Sequence, residues 1–280
     1  MTPTDSKAME KIVVITGGAG GMGLATAKIV GQEYRVVISD INQQRLDKAV
    51  EELNHLGINC DSAVCDIADR SSVDTMVSRI NAMGTIKSVI HTAGISPQMA
   101  EPEIILKVNA LGTIHITEAF LKIAKEGFAL VNVSSNSAHL LPGWIIPTRA
   151  FRIAETDPQR FVKKIASRCR LLGRDEIRQR GSAYAISKNF VIWYSKKSAA
   201  KFGDKGARIV SVSPGTFDTE MGKLEEKSGA LEFMKLSALK RLGRPEEIAE
   251  VLAFCASDKA GYLTGTDVLC DGGAIASKIK

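Results

Sequence analysis

Apolar and polar positions follow two periods that alternate along almost the whole chain. Short apolar runs rich in Val and Ile are separated by longer stretches in which apolar residues recur every three or four positions. The runs are typical of strands buried on both faces, and the stretches are typical of amphipathic helices. This alternation predicts an α/β fold with a doubly wound parallel sheet, whose right-handed crossover helices cover both faces.

The predicted strands and helices follow one another in a regular order. Strands are expected at residues 11–16, 35–39, 60–66, 88–92, 129–134, 207–212 and 267–270. Helices are expected at residues 24–30, 45–56, 71–83, 104–124, 184–202 and 245–256. The fourth of these helices contains Gly112, which leaves an interruption open. In such a sheet, ligands bind beyond the carboxyl ends of the strands.

A glycine-rich turn joins the first strand to the first helix. Between residues 17 and 23 the chain reads Gly-Gly-Ala-Gly-Gly-Met-Gly. Glycines suit this position because the turn needs backbone conformations that are closed to other residues. They also let the main chain approach a pyrophosphate at the positive end of the following helix. The order of strand, glycine turn and helix therefore predicts a dinucleotide site.

The second strand ends at an acidic residue. Asp40 follows Gly23 by 17 positions, where a carboxylate can accept hydrogen bonds from the ribose hydroxyls of a dinucleotide. The same carboxylate would repel a 2′-phosphate, and the glycine turn itself carries no Arg or Lys to neutralise one. Asp40 therefore favours NAD over NADP, the alternative being an ordinary turn residue at the end of a strand.

A tyrosine and a lysine stand four residues apart within a predicted helix. On a helix, Tyr184 and Lys188 lie on one face about one turn apart. An unperturbed tyrosine titrates near pKa ~10, and a nearby positive charge favours the phenolate. Such a pair can exchange a proton with an alcohol or a ketone. Many solvated helix faces carry the same spacing, so its weight depends on the rest of the chain.

Several segments carry the motifs of one family in the family's order. Thr16-Gly17-x-x-x-Gly21-x-Gly23 resembles the glycine spacing of the short-chain dehydrogenase/reductase (SDR) family. The other segments that are similar to family motifs are Asp66-Ile67, Ala93-Gly94, Val108-Asn109-Ala110-x-Gly112, Ser134-Ser135, Tyr184-x-x-x-Lys188, Pro214-Gly215-x-x-x-Thr219 and Asp271-Gly272-Gly273. Together they span almost all of residues 11–274. The resemblance implies a Rossmann-type domain over residues 11–276, after an N-terminal tail of residues 1–10.

The resemblance implies an NAD-dependent oxidoreductase that interconverts a secondary alcohol and a ketone. The catalytic residues that it implies are Asn109, Ser135, Tyr184 and Lys188, with Ser134 as a rival to Ser135. The cofactor-binding residues that it implies are Gly17, Gly21, Met22, Gly23, Asp40, Asp66, Ile67, Ala93, Gly94, Tyr184, Lys188, Pro214, Gly215 and Thr219. Tyr184 would exchange the proton and Ser135 would hold the substrate oxygen. Lys188 would favour the phenolate and bind the nicotinamide ribose, Asn109 would hold a relay water, and no metal is implied.

Two departures from the family pattern stand out. His91-Thr92 replaces two asparagines of the family's Asn-Asn-Ala-Gly box, so a buried, hydrogen-bonded His91 is favoured over a catalytic one. Ser135 and Tyr184 are 49 residues apart, where the family ordinarily has far fewer. That distance implies an insertion at roughly residues 140–180, as in some bacterial hydroxysteroid dehydrogenases.

The segment at residues 140–180 is basic and in part helical. Thr156 or Asp157 can cap a helix with Pro158 in its first turn. Apolar residues then recur at helical spacing, namely Phe161, Ile165, Ala166, Cys169 and Leu172. Between residues 149 and 180 there are ten Lys/Arg and four Asp/Glu, so the +6 charge of the chain is concentrated here. The segment is interpreted as a dimerisation arm or substrate lid, or else as a clamp for an anionic substrate.

Composition fits one ordinary domain. The protein has 280 residues, of which 45% are apolar. The basic segment has no aromatic interleaving suited to base stacking, so a nucleic-acid partner is not expected. No run approaches the ~18 to 20 apolar residues that cross a bilayer, and residues 1–10 lack a signal-peptide core. A cytoplasmic homodimer or homotetramer without a membrane partner is expected. The five cysteines form no metal-type cluster and are expected to be reduced thiols.

Three functions remain open at this point. The first is oxidation or reduction of a bulky apolar secondary alcohol or ketone, for instance a hydroxysteroid, since a lid can bury apolar surface. The second is the same chemistry on an anionic substrate, such as a 3-hydroxyacyl thioester or a carboxylate. The third is a protein that senses NAD(H) without turnover. The presence of all four implied catalytic residues argues against the third.

Overall fold

Seven parallel strands form one sheet in the order β3-β2-β1-β4-β5-β6-β7. The structure is a computed structural model that describes residues 11–225 and 237–278. The strands are β1 (Lys11–Thr16), β2 (Arg35–Asp40), β3 (Cys60–Val64), β4 (Thr85–His91), β5 (Ala129–Val133), β6 (Arg208–Pro214) and β7 (Asp267–Cys270). The predicted doubly wound parallel sheet in a single domain is confirmed. The N-terminal tail lies outside the described residues.

Helices cover both faces of the sheet. They are α1 (Gly21–Val30), α2 (Gln43–His55), α3 (Arg70–Met83), α4 (Pro102–Leu106), α5 (Gly112–Ile123), α6 (Thr148–Phe151), α7 (Pro158–Leu172), α8 (Glu176–Gly203), α9 (Glu220–Glu225) and α10 (Pro245–Ala256). Apolar residues of α1, α2 and α10 pack against one face, and those of α3, α5 and the end of α8 pack against the other. The inner strands are therefore buried on both sides, as their apolar runs predict, whereas the edge strand β7 has no fully buried residue.

Side-chain caps set where several helices begin. The Asn42 side chain accepts a hydrogen bond from the main-chain N–H of Arg45 at 3.0 Å, so α2 begins two residues before its predicted start. The Asp175 carboxylate accepts one from Arg178 in the same way, at 2.8 Å. Helix α8 therefore begins at Glu176 and not at Tyr184. The last turns of the predicted insertion are a continuous part of the helix that carries Tyr184.

A row of buried polar residues crosses the face of the sheet beneath α5 and α8. It consists of His91, Asn132, Ser134, Ser211 and Ser213. The Asn132 amide donates to the Ser195 hydroxyl at 3.0 Å, and both sheet serines of β6 donate to the Asp267 carboxylate. Buried polar groups persist where they find partners. These partners lie on helices and strands distant in sequence.

The segment between Ser135 and α8 builds a third apolar cluster. Helix α7 begins after Asp157, whose carboxylate accepts from the main chain of Arg160 at 2.9 Å, so Asp157 is the cap. Four of the five predicted apolar positions are buried, but Leu172 is 43% exposed. The ring of Phe190 on α8 lies 5.1 Å from Phe151 and 5.3 Å from Phe161, measured between centroids. The segment is thus packed onto α8 by aromatic contacts and belongs to the same apolar cluster as Ile105 and Leu106 of α4.

One continuous helical stretch corrects an expectation about membrane spans. Residues Pro102–Ile123 form a helix of 22 residues that is apolar and long enough to cross a bilayer by length and composition. The sequence prediction that no run approaches this length is therefore wrong. In its most apolar window, 67% of the residues are buried inside the protein. Core helices pass the same test of length and composition, so the finding is weak evidence for a span.

Candidate active site

The glycine turn lies against two strands and allows no side chains at its critical positions. Gly17 and Gly21 have φ of +69° and +52°, in the left-handed region that favours glycine. A Cβ on Gly18 would stand 2.7 Å from Cβ of Ile38, and one on Gly23 would stand 2.7 Å from the Thr92 hydroxyl. The turn is therefore held close to β2 and β4. Its main chain is open toward the amino end of α1.

The turn borders a cleft of about 320 Å³ at the carboxyl ends of the strands. Most residues predicted to bind the cofactor line it, namely Gly17, Gly21, Met22, Gly23, Asp40, Asp66, Ile67, Ala93, Gly94 and Thr219. A bare main-chain cradle at a helix amino terminus suits a pyrophosphate, and the acidic strand end suits a ribose. The residues present therefore fit a nicotinamide dinucleotide.

Four residues of the predicted cofactor set do not line this cleft. Pro214 ends β6, and the N–H of Gly215 donates to the Cys270 carbonyl at 2.9 Å. A Cβ on Gly215 would stand 2.7 Å from Cα of Asp271, so this glycine packs against the chain after β7. Tyr184 and Lys188 belong to the neighbouring part of the site on α8.

The structure adds two charged residues that the sequence analysis missed. The Arg45 guanidinium lies 2.6 Å from where a Cβ of Gly20 would stand, and it pairs with the Glu220 carboxylate at 3.3 Å. Both residues line the cleft beside Asp40. The glycine turn itself carries no Arg or Lys, as predicted, but the first turn of α2 brings Arg45 to the same wall of the cleft. The position of Arg45 five residues after the strand-end acid could have signalled it.

The predicted acid/base pair on α8 approaches the cleft through its lysine. The Lys188 ammonium is 5.8 Å from the centroid of the Tyr184 ring and donates to the Val133 carbonyl at 3.1 Å. Lys188 is only 6% exposed. A Cβ on Gly94, which lines the cleft, would stand 3.3 Å from the Lys188 ammonium and 3.0 Å from the Asn109 side-chain oxygen. Residues far apart in sequence therefore converge around Gly94.

Asn109 is held by the main chain of another segment. Its side-chain oxygen accepts from the N–H of Ile95 at 2.9 Å, and its amide donates to the Ile95 carbonyl at 3.0 Å. The amide also lies 3.2 Å from the Ser187 hydroxyl, which donates to the Tyr184 carbonyl at 2.7 Å. Asn109 thus connects the strand-end segment to the helix of Tyr184.

A π-helical turn carries Asn109. It spans Lys107–Leu111, between α4 and α5. The interruption left open at Gly112 is therefore real, but it precedes that glycine. π-Helical turns are rare and occur often at functional sites. Here the turn brings Val108 to the lining of the cofactor cleft while Asn109 faces Ile95.

The two adjacent serines differ in what their hydroxyls contact. The Ser134 hydroxyl donates to the Lys188 carbonyl at 2.7 Å and is buried. The Ser135 hydroxyl accepts from the N–H of Ser137 at 3.2 Å and begins the short 3₁₀ helix Asn136–His139. An accepting hydroxyl keeps its own hydrogen for a further acceptor. The geometry favours Ser135 as the hydroxyl that can hold a substrate oxygen.

His91, which replaces an asparagine of the family's box, is buried and hydrogen-bonded, as the sequence analysis predicts. Its Nδ1 is 2.6 Å from the Thr16 hydroxyl, and the residue is 2% exposed. Burial, with a smaller contribution from the positive charge of Lys188, lowers the pKa of His91 to about 3. The imidazole is therefore neutral at the pH values at which most proteins work.

The depressed pKa of His91 makes an acid-sensitive contribution to stability. Below the unfolded-state value of ~6.5, the unfolded chain binds a proton that the folded chain refuses until about pH 3. The free energy of unfolding should therefore fall with decreasing pH across this window, by up to ~1.4 kcal/mol per unit from this group. Urea unfolding of the wild type and of His91→Asn at several pH values should show a shallower slope for the variant. Equal slopes for the wild type and the variant would contradict the assignment.

Two protein-family models match the chain. The family described as short chain dehydrogenase matches residues 11–145, and the one described as Enoyl-(Acyl carrier protein) reductase matches residues 170–274. A short-chain dehydrogenase/reductase of Alternaria brassicicola is 30% identical over 272 residues, covering 96% of this chain and 97% of the relative. The cyclohexanol dehydrogenase of Acinetobacter sp. (strain SE19) is 30% identical over 271 residues, covering 95% and 96%.

A solved structure shares the fold along nearly the whole chain. It is a short chain dehydrogenase from Burkholderia cenocepacia J2315 in complex with NADP, with a TM-score of 0.74 and 24% identity, covering 94% of this chain and 97% of that one. The fold, with a cleft beyond the carboxyl ends of a parallel sheet, fits the class of proteins that bind a nicotinamide dinucleotide there. With the sequence relatives, it shows that the chain belongs to the short-chain dehydrogenase/reductase family of oxidoreductases.

Proposed function

We propose that the protein interconverts a secondary alcohol and a ketone with NAD(H), and that Tyr184 is its acid/base. The observation that carries this proposal is the convergence at Gly94. Gly94 lines the dinucleotide cleft, and both the Lys188 ammonium and the Asn109 side chain lie within 3.3 Å of where its Cβ would stand. The lysine that lies one helical turn from Tyr184 is thereby brought next to the proposed cofactor cleft.

Each side chain has a separate task in the proposed reaction. A bound nicotinamide ring supplies the hydride chemistry. Tyr184 exchanges a proton with the substrate oxygen, and Ser135 donates its hydroxyl hydrogen to the same oxygen. Lys188 stabilises the phenolate electrostatically across the 5.8 Å that separate its ammonium from the ring of Tyr184. Asn109 fixes the strand-end segment at Ile95 and, in the proposal, holds a relay water.

NAD is the proposed cofactor, with Asp40 as the residue that selects it. Asp40 lies at the carboxyl end of β2 and lines the cleft. Arg45 is the observation that points the other way, because a guanidinium beside the same wall could neutralise a 2′-phosphate. In this structure Arg45 pairs with Glu220. A 2′-phosphate would therefore have to compete with Glu220 for the guanidinium and to lie near the Asp40 carboxylate.

The cofactor proposal predicts a measurable preference and its loss. The wild type should oxidise an alcohol with a higher kcat/KM for NAD than for NADP. Asp40→Ala should lower kcat/KM for NAD by about ten- to hundredfold, since hydrogen bonds to a charged group contribute about 1.5–3 kcal/mol. Arg45→Ala is the matched control on the same wall and should affect only the residual activity with NADP. A wild type that prefers NADP, and loses that preference in Arg45→Ala, would reverse the assignment.

The proposed substrate is a bulky apolar secondary alcohol. The segment that follows Ser135 is apolar and presents Trp144, which is 82% exposed. A relative named cyclohexanol dehydrogenase is 30% identical to this chain. The basic residues of the 140–180 segment are in part used within the protein, because Arg170 pairs with Glu103 and Arg180 pairs with Glu101. These pairs weigh against an arginine clamp for an anionic substrate.

The 140–180 segment is proposed to be an insertion relative to the family pattern. Residues 146–169 lie between the two family matches and contain α6 and most of α7. Arg168 on α7 donates to the Ile145 carbonyl at 3.0 Å. The insertion therefore supports the apolar segment after Ser135 from outside.

A substrate panel tests the reaction. NADH formation would be followed with alicyclic secondary alcohols, hydroxysteroids and 3-hydroxyacyl thioesters, with NADP in parallel. Turnover of the apolar alcohols supports the proposal. Turnover of thioesters alone, with a KM that rises steeply with salt, would move the substrate to the anionic class. Tight NADH binding without turnover on any substrate would support the sensing role instead.

A further inference from the structure

A chain of buried hydrogen bonds runs from the end of β1 to the π-helical turn. The N–H of Ala93 donates to the Thr16 hydroxyl at 3.5 Å, and that hydroxyl lies 2.6 Å from Nδ1 of His91. On the other side of the ring, Nε2 lies 3.5 Å from the Thr113 hydroxyl, which donates to the Asn109 carbonyl at 2.8 Å. Thr16, His91, Thr113 and Asn109 are each at most 2% exposed. Each polar group in this series of hydrogen bonds therefore depends on its neighbour for a hydrogen-bond partner.

The ends of the chain determine the direction of each hydrogen bond. The Thr113 hydroxyl donates its only hydrogen to the Asn109 carbonyl. Toward His91 it can therefore only accept, so Nε2 must donate. When Nε2 is the donor, Nδ1 of a neutral ring can only accept, so the Thr16 hydroxyl donates its hydrogen to Nδ1 while it accepts from the N–H of Ala93. A neutral imidazole with its proton on Nε2 satisfies both requirements. An imidazolium would present a second N–H to Thr16 and leave the threonine hydrogen without this acceptor.

The chain ends at a residue that contacts both halves of the site. The Asn109 side chain is hydrogen-bonded to Ile95 and Ser187, and its main-chain carbonyl accepts a hydrogen bond from Thr113. A threonine that bonds to the carbonyl four residues earlier often bends a helix. Here that bond adjoins the π-helical turn Lys107–Leu111. The position of Asn109 therefore depends on Thr113, and the hydroxyl of Thr113 depends on His91.

The residue after His91 contacts the cofactor side. The Thr92 hydroxyl donates to the Thr16 carbonyl at 2.7 Å and lies 2.7 Å from where a Cβ of Gly23 would stand. The dipeptide that departs from the family's asparagine pair thus contacts both the glycine turn and, through Thr113, the Asn109 turn. Its two side chains join the two halves of the site.

We propose that His91 is a positioning residue, which through Thr113 fixes the main chain of Asn109 against α8 and so maintains the geometry of Tyr184 and Lys188. The proposal rests on the proposed function, because the geometry matters through proton exchange at Tyr184. His91 itself touches neither substrate nor cofactor in this role. Loss of this series of hydrogen bonds should therefore lower kcat more than it changes KM.

Thr113→Val is the principal test, and Thr117→Val is its matched control. Thr117 lies one turn further along α5, is 1% exposed, and its hydroxyl lies 3.4 Å from the Asn132 amide nitrogen. Both variants remove one buried hydroxyl from the same helix, but only the first interrupts the chain to Asn109. Thr113→Val should lower kcat about tenfold, the equivalent of one lost hydrogen bond, with KM for NAD within about twofold. Thr117→Val should keep kcat within about twofold, and Thr113→Ser should restore it.

Two further variants separate positioning from general destabilisation. His91→Leu, which has no hydrogen-bonding group, should lower kcat to a similar extent, and His91→Leu combined with Thr113→Val should be no worse than either alone, because both interrupt the same hydrogen bonds. Equal kcat values for Thr113→Val and Thr117→Val, or additive losses in the double variant, would overturn the proposal. An inactive wild type would instead refute the proposed function.

A spectroscopic readout tests the chain without turnover. In ¹⁵N NMR spectra of the histidine-labelled protein, the signal lost in His91→Asn belongs to His91. It should show a neutral ring protonated at Nε2, and this signal should shift in Thr113→Val but not in Thr117→Val. A charged ring near pH ~6.5, or a proton on Nδ1, would contradict the hydrogen-bond directions and overturn the proposal even in an inactive protein.

Discussion

Replacement of Tyr184 by Phe is expected to lower turnover by about 10²–10⁴-fold, the usual contribution of a positioned acid/base. The variant keeps the aromatic ring that lies 5.8 Å from the Lys188 ammonium and loses only the hydroxyl. Tyr184 does not line the cleft at the glycine turn, so NADH affinity should stay within about twofold. Steady-state oxidation rates and a fluorescence titration with NADH measure the two quantities separately.

Tyr262 provides the control for this substitution. Its side chain is fully exposed after α10, and removal of its hydroxyl should change neither rate nor affinity. If Tyr184→Phe turned over like Tyr262→Phe, the acid/base role would have to be assigned to another group. If Tyr184→Phe also lost NADH binding, the variant would have disturbed the site and the loss of rate would not report on proton exchange.

Replacement of Gly23 by Ala is expected to weaken dinucleotide binding by about ten- to hundredfold. The added Cβ would stand 2.7 Å from the Thr92 hydroxyl and closer still to the carbonyl of Gly17. Thr92 cannot move away easily, because its hydroxyl is bonded to the Thr16 carbonyl at 2.7 Å. The turn must shift instead, and overpacking of this kind costs about 1–3 kcal/mol. Calorimetric titration with NADH measures the loss, and thermal unfolding shows whether the fold is retained.

Gly203 is the matched position for an alanine substitution. It ends α8, and no heavy atom lies within 4 Å of where its Cβ would stand. Gly203→Ala should therefore bind NADH like the wild type. Wild-type affinity in Gly23→Ala would show that the glycine turn is not where the dinucleotide binds, and would remove the basis of the cofactor proposal.

Local signals in the sequence predicted most helix boundaries within a few residues. Asp157 caps α7 through the main chain of Arg160, three residues away, and the pattern around Pro158 predicts this directly. Helix α10 begins and ends where its pattern places it, at residues 245–256. The exception is α8, which begins after the cap Asp175 and not at Tyr184. The polar stretch before Tyr184 lacks the apolar periodicity that would have shown that the helix extends through it.

Charged and polar contacts across the site were beyond the reach of periodicity. Arg45 and Glu220 are 175 positions apart, and either residue alone has the pattern of a solvated helix surface. Periodicity also misplaced Leu172, which has the correct helical spacing for a buried position but is 43% exposed. Spacing identifies a face of a helix, but it does not show how far the neighbouring helix extends.

The alternation of short apolar runs and amphipathic stretches determined the sheet, its parallel strands and the end at which ligands bind, because burial on both faces leaves few other arrangements. The order of glycine turn, Asp40, Asn109, Ser135, Tyr184 and Lys188 along the chain determined which residues to examine there. Folding in three dimensions decided the rest. It placed Lys188 and Asn109 together at Gly94, turned the Ser134 hydroxyl toward the α8 main chain, and buried His91 between two threonines. These contacts join residues that local propensity treats as independent, so they exist only once the helices are packed on the sheet.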